Sequence, residues 1–473
     1  MRKSLIEAGY LNMVNFWEVI RRGELGPKVA ERDFDMKHVA LKIIELQKEH
    51  GIKYDPNVII PSDNSLADSV WQAGIELLVH SGVYHTQTGR VIKVTEEEIK
   101  DELRHAPREF TLGEGLDRVT LRSRGVEDQE PPLVFGGPFG APMTEELFVK
   151  INQAYAQEPL IDVLFMPGHL ERIEGLDIRE HSPTEVQAAR CFAEWTREAI
   201  RRAGRPGMPV SCVGGGVTGV NEVAASDPDR GLRRFDTRGV NFLSELRVET
   251  QYLSKVAHYL NYGCPIRVGI VPFCGGFGGD PAGTAILAVA HHVAARLVYK
   301  GTICSFGPQH IKYGQQSNPH SLYLNSLAGQ AISRNSQILR TTTATVSAYP
   351  PSEQNMIEGA AIALAAVVSG SHISGGPRPA RTFAEKNLVS PLATRLFAEV
   401  GHAATRISRG EADGILKELI KKYVDRMTLD KVPKGRPFQE TFNLATLSPT
   451  EETTKIYAET RGKLEALGVG LKE

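Results

Sequence analysis

The sequence predicts an α/β protein: a (β/α)8 TIM barrel over residues 129–434, with a helical N-terminal extension over 1–128 and a short C-terminal helical tail over 435–473. Three observations lead there. From Pro131 onward, short apolar runs end in Gly, Ser or polar residues, and a longer segment of helical periodicity follows each one. Eight such runs can be counted, and eight strand–helix units in about 270 residues is the size of that barrel. Three adjacent glycines, Gly214 to Gly216, follow one apolar run, which is where backbone can approach a ligand closely.

In order, Val39, Ile43 and Ile44 repeat at helical spacing, Ser65 to His80 forms an amphipathic helix, and Glu96-Glu97-Glu98 opens another, where negative charge suits a helix N-terminus. The expected strands are Leu133 to Gly136, Ile161 to Met166, Met208 to Val213, one between Val217 and Leu246, Val268 to Phe273, Thr302 to Phe306, Thr341 to Ser347, and Ser371 to Gly375. Between them, Thr284 to Tyr299 places Ile286, Val289, Val293 and Leu297 on one helical face, and Glu353 to Val368 is a second strong helix. The tail ends in a short charged helix.

Composition excludes several classes. With 55 basic and 56 acidic residues the net charge is -1, which gives no electrostatic case for nucleic acid or a membrane surface. Five widely spaced cysteines without a CxxC pair argue against a disulfide framework or a structural zinc site, and no metal site is expected. The first residues are interrupted by charge and the apolar run Ala360 to Val368 is too short to span a bilayer, so a cytoplasmic protein is expected.

A barrel forms its active site at the carboxyl ends of its strands. That criterion selects Ser211, Cys212, Arg238, the turn Gly275-Gly276-Phe277, Gln309, His310, Tyr313, Gln315, Thr343, Thr345 and His372. His291 and His292 are neighbours on one helix and point apart, so they do not form a metal pair. Gly214 to Gly219 matches GxGxxG after a strand, with Asp236 beyond. The polar stretch after Asn221 shows no helix to hold a pyrophosphate, which weakens a nicotinamide reading.

Gly-Arg-Pro-Gly-Met with Val210 two residues on, Ala257-His258-Tyr259, the Pro272 to Gly276 run and Gly-Pro-Gln-His-Ile at Gly307 to Ile311 resemble the monomethylamine:corrinoid methyltransferases, and weaker matches extend from Trp71 to the C-terminal tail. The resemblance implies transfer of a methyl group from a small methylated amine to the Co(I) centre of a separate corrinoid protein, by a homo-oligomer that binds no cofactor itself. Ser211 follows Val210 where that family carries pyrrolysine, so this chain resembles a homologue without it. Gly239 and Gly269 stand at the family's pocket glutamates, and its Gln and Tyr near the seventh strand have no clean counterpart.

The expected catalytic candidates are thus Gln309, His310 and Tyr313. Ser211, Cys212, Arg238, Gly239, Gly269, Gln315, Thr343, Thr345 and His372 would bind substrate, and Gly275, Gly276 and Phe277 would face the corrinoid. The expected donor is a quaternary or betaine-like amine rather than monomethylamine, with Arg238 holding its carboxylate. Two alternatives stand beside it: an inactive paralogue that binds a small ligand or the corrinoid protein, and an NAD-dependent oxidoreductase.

Overall fold

A computed structural model describes residues 14–212, 218–226, 231–380, 385–428 and 431–471. The eight expected strands are all present, as β1 Val134–Gly136, β2 Val163–Phe165, β3 Val210–Ser211, β4 Arg238–Phe242, β5 Ile266–Ile270, β6 Ile303–Phe306, β7 Arg340–Val346 and β8 His372–Pro379. They pair in parallel in chain order, and β8 returns to β1 through Ile373 and Val134. Between β3 and β4 the ring closes on a single parallel bridge, Ser211 to Thr237. Each strand is followed by a helix: α1 Glu145–Ala156, α2 Pro183–Arg202, α3 Gly219–Ala225, α4 Thr250–Tyr262, α5 Pro281–Tyr299, α6 Pro319–Asn335, α7 Glu353–Val368 and α8 Pro391–Ala403.

Strand alternation divides inside from outside. On β5, Ile266, Val268 and Ile270 join the apolar layer under the helices, so Arg267 and Gly269 point inward. On β7, Ala344 and Val346 pack outward while Thr341, Thr343 and Thr345 line the interior. Phe135, Val163, Phe165, Ile303 and Leu339 fill the barrel, and Leu112 and Leu121 from the hairpin Glu109–Leu112/Val119–Arg122 plug its amino end.

Two features of the N-terminal segment depart from expectation. The plugging hairpin and a second one, Val83–His85 with Arg90–Ile92, lie in a charged stretch read as mostly helical, and the second adds Arg247–Val248 as a parallel third strand. The helix Asn64–Ser81 packs on α5 and α6, so closely that a Cβ at Gly74 would overlap Val289. That cover explains α5, which is buried at every residue and reaches the length and mean hydropathy, 1.2, of a membrane span.

The GxGxxG segment also differs. Gly214, Gly215 and Gly216 lie outside the described residues, but α3 follows them, N-capped by Thr218 Oγ1 accepting from the Val220 N–H at 3.2 Å. The expectation that no helix follows is therefore wrong: polar Asn221 and Glu222 are buried faces of that helix rather than a loop. The surrounding sheet is a ring, without the strand-order reversal at which open α/β sheets bind dinucleotides.

Candidate active site

Inside the barrel, a hydroxyl belt leads to one guanidinium. Ser374 Oγ donates to Thr341 Oγ1 at 3.0 Å, Thr341 pairs with Ser305 Oγ at 3.2 Å, and Arg267 Nη2 donates to Ser305 Oγ at 2.9 Å. Arg267 is 7% exposed, and its Nη1 lies 3.9 Å from Cys212 Sγ and 4.0 Å from Met166 Sδ. Its Nε makes no hydrogen bond, and no carboxylate forms an ion pair with it among the described residues. The guanidinium rests on the Phe165 ring at 4.8 Å, Phe165 packs on Phe139 at 5.3 Å, and Arg378 lies 5.4 Å from the other ring. Two cations on paired phenyl rings thus mark the mouth.

Ser211 ends β3 and Cys212 follows it, both buried, at the carboxyl end where the sequence places them. Ser211 Oγ pairs with Thr237 Oγ1 at 2.8 Å across the closing bridge. Cys212 has φ 63, in the left-handed region that few non-glycine residues occupy, and this turns its thiol toward Gly239 and Arg267. Burial raises the Cys212 thiol pKa, against a smaller lowering by Arg267.

The two glycines leave no empty pocket. A Cβ at Gly239 would lie 2.9 Å from Cys212 Sγ and 3.4 Å from Glu222 Oε1, and one at Gly269 would overlap Asn241 Oδ1. Glu222, on α3, accepts from Tyr259 Oη at 3.3 Å, and burial pushes its carboxyl pKa up despite Lys255, Arg238 and Arg267 nearby. Arg267, Asn241 and Glu222 were missed in the sequence, where the signal for Arg267 was a charge inside the apolar run Ile266–Ile270, and Tyr259 stood in the Ala257-His258-Tyr259 motif without a site role.

Three expected substrate contacts are placed elsewhere. Arg238 is the first residue of β4 and points outward, donating to Ser226 Oγ at 2.9 Å and to the carbonyls of Leu232, Arg233 and Asp236 at 2.7–3.3 Å. It neither faces the cavity nor sits in a surface ion pair; it clamps the loop before its own strand. Gln315 Oε1 accepts from the Asn318 N–H at 3.1 Å and from Ser317 Oγ, so this side chain organises the start of α6 and is not free for substrate.

His372 lies at the amino end of β8, away from the mouth. Its Nδ1 accepts the Leu133 N–H at 2.8 Å and its Nε2 donates to the Arg122 carbonyl at 2.7 Å, which joins the plugging hairpin to the barrel. Burial and the nearby Arg124 charge push its pKa down to about 3, below the unfolded value of about 6.5. The unfolded chain therefore takes up the proton first, and stabilisation that is full above pH ~6.5 is lost as pH falls toward 3. His372→Gln is expected to cost about 2 kcal/mol at pH 7. Urea titrations should show that deficit shrinking below pH ~6.5, by up to about 1.4 kcal/mol per pH unit.

The remaining candidates gather at the rim. Thr343 Oγ1 accepts from Gln316 Nε2 at 3.0 Å, and the Thr345 N–H donates to Gln316 Oε1 at 2.6 Å, so Gln316 splints β7. Phe273–Cys274 and Gln309–His310 form a two-stranded parallel extension above β5 and β6. His310 packs on Tyr313 at 4.8 Å, and Tyr313 lines a cleft of about 260 Å3 with Lys312, Ser347, Ala380 and Met427. Gly275, at φ 85, makes the turn that presents Phe277, and Phe277 and Ile311 are exposed on this rim. A larger cleft of about 820 Å3, lined by Leu160, Arg395 and His402, opens at the amino end, where barrels do not place chemistry.

The profile of the family described as Monomethylamine methyltransferase MtmB matches residues 14–469. MtmB1 of Methanosarcina barkeri is 31% identical over 448 residues, covering 95% of this chain and 96% of that protein. MtmB1 of Methanosarcina acetivorans gives the same identity and coverage. The crystal structure of the Methanosarcina barkeri enzyme superposes with a TM-score of 0.92 at 30% identity, over 97% of this chain and 98% of that one, and so does that of the hydroxylamine MtmB complex. The chain belongs to the monomethylamine methyltransferase family, MtmB.

Proposed function

We propose that this chain transfers a methyl group from a small methylated amine bearing an anionic group, a betaine-like quaternary donor, to the cobalt of a separate corrinoid protein, and that monomethylamine is not its substrate. The observation that carries this reading is Arg267: a buried guanidinium that makes no ion pair among the described residues, with the Glu222 carboxyl its charged neighbour, between the two glycines at which the family resemblance places glutamates. Such a cation disfavours an ammonium ion alone and suits a carboxylate, to which a charge-assisted hydrogen bond contributes roughly 1.5–3 kcal/mol. This reading moves the carboxylate grip from Arg238 to Arg267.

The donor's chemistry agrees with the missing electrophile. A methyl group on a quaternary nitrogen leaves as the C–N bond breaks, and the electron pair stays on nitrogen, which departs as a neutral tertiary amine. Monomethylamine has no comparable leaving group and needs capture by an electrophile, a role neither Ser211 nor Cys212 can fill. The corrinoid supplies the nucleophile, and this chain orients the donor and excludes water. The exposed Phe277 and Ile311 beside the Gly275 turn give a partner protein apolar ground at the mouth.

A second reading, ligand binding without turnover, draws on the filling of the Gly239 and Gly269 positions by Cys212 and Asn241. Mixing the protein with a reduced corrinoid protein and glycine betaine, and following the corrinoid's visible spectrum, separates the two, since binding without a spectral change favours the second. Cys212 takes no covalent part in the first reading, because its thiol is held protonated in the barrel. Cys212→Ser is accordingly expected to stay within a fewfold of wild type in that assay, and a loss of several orders of magnitude would rule the reading out.

A further inference from the structure

We infer that Cys274, His310 and His320 form a binding site for one zinc-class divalent cation on the rim of the barrel, outside the Arg267 interior. Their ligating atoms all lie within 4.8 Å of one another. The convergence is built into the fold. Cys274 and His310 are register partners in the parallel extension above β5 and β6, so their side chains stand side by side. His320 comes from the first turn of α6, which packs against both of those strands.

The two imidazole rings are 5.2 Å apart and inclined at 31°. Two histidines that bind one tetrahedral ion through bonds of about 2 Å have ring centres about 5 Å apart, so small side-chain rotations close the site. Among the described residues the His320 ring makes no side-chain hydrogen bond; it packs on aromatic rings, including Tyr54 edge-on at 5.6 Å, and feels the Asp280 charge. His310 Nδ1 accepts the Lys312 N–H at 3.1 Å. Binding through either nitrogen gives up that one bond, and Lys312 is exposed, so its amide can turn to water.

The ligand chemistry selects the ion. Burial lowers the pKa of both histidines, which leaves neutral rings with available lone pairs. The Cys274 thiol, pushed up to about 11 by burial and the Asp280 charge, stays protonated until a cation displaces the proton. One thiolate and two imidazoles suit zinc and its borderline neighbours, whereas calcium and magnesium require oxygen ligands. Three protein ligands leave a fourth position for water or a donor atom. The expectation of no metal site rested on sequence spacing, and these ligands come from two successive βα loops that only the fold brings together.

The test is a titration of the chelator-treated full chain with Co(II), followed by competition with Zn(II). About one equivalent should bind, with the visible bands of a tetrahedral ion and a near-ultraviolet thiolate-to-cobalt band that Zn(II) erases. Cys274→Ser should lose the thiolate band, and His320→Gln should weaken binding roughly a hundredfold. His320 is half-buried at a helix start and Cys274→Ser is isosteric, so both variants should keep the wild-type circular dichroism. Binding well below one equivalent, a spectrum without the thiolate band, or unchanged affinity in both variants would overturn the assignment.

Discussion

Gly269→Glu is expected to lower kcat/KM for a betaine-like donor by roughly ten- to a hundredfold, the loss of one charge-assisted hydrogen bond. Gly269 does not have a positive φ, so its backbone accepts a side chain, and the atom in the way is Asn241 Oδ1, the end of a movable side chain. From a Cβ there, Arg267 Nη1 is 3.8 Å away, within easy reach of a new carboxylate. The new ion pair would occupy the guanidinium the donor needs. Gly269→Gln carries nearly the same volume without the charge, and steady-state kinetics should show it impaired severalfold less. Equal losses in the two variants would mean that bulk, not charge, is responsible.

Glu102→Ala should destabilise the fold by about 3 kcal/mol, the cost of leaving buried Arg296 and half-buried Lys300 without their shared carboxylate. Glu102 is 1% exposed and accepts from Arg296 Nη2 and Lys300 Nζ, each at 2.8 Å. It ties the helix Glu96–Arg104 of the N-terminal segment to the end of α5, where Lys300 turns the chain at φ 52. Urea denaturation should show the midpoint falling with little change in slope. Glu102→Gln, which keeps an acceptor for one cation, should lose less.

The barrel could be read in the sequence because most of its strands are apolar runs bounded by turn residues. The fourth was confined only to a window, since Arg238–Phe242 sets Val240 and Phe242 between Gly239, Asn241 and a charged Arg238, which breaks up any apolar run. The hairpin Glu109–Leu112/Val119–Arg122 escaped because its strands are short and charged, and packing against the barrel's open end stabilises them. Site residues were less legible for a geometric reason. His372 was assigned to the mouth from the segment Ser371 to Gly375, but the strand continues to Pro379, and eight residues of strand leave its first side chain at the opposite end. Arg238 and Arg267 look alike in sequence. One opens its strand and points outward to carbonyls, while the other is its strand's second residue and points inward, a difference only the register reveals.

The central claim is that Arg267 selects an anion-bearing methyl donor. It is tested most directly by single-turnover methyl transfer to a reduced corrinoid protein, comparing glycine betaine, tetramethylammonium and monomethylamine with wild type and Arg267→Met. Wild type should turn over the betaine, tetramethylammonium more slowly and monomethylamine not at all, and Arg267→Met should remove the preference for betaine. Turnover of monomethylamine, or a preference for betaine that survives in Arg267→Met, would contradict the account.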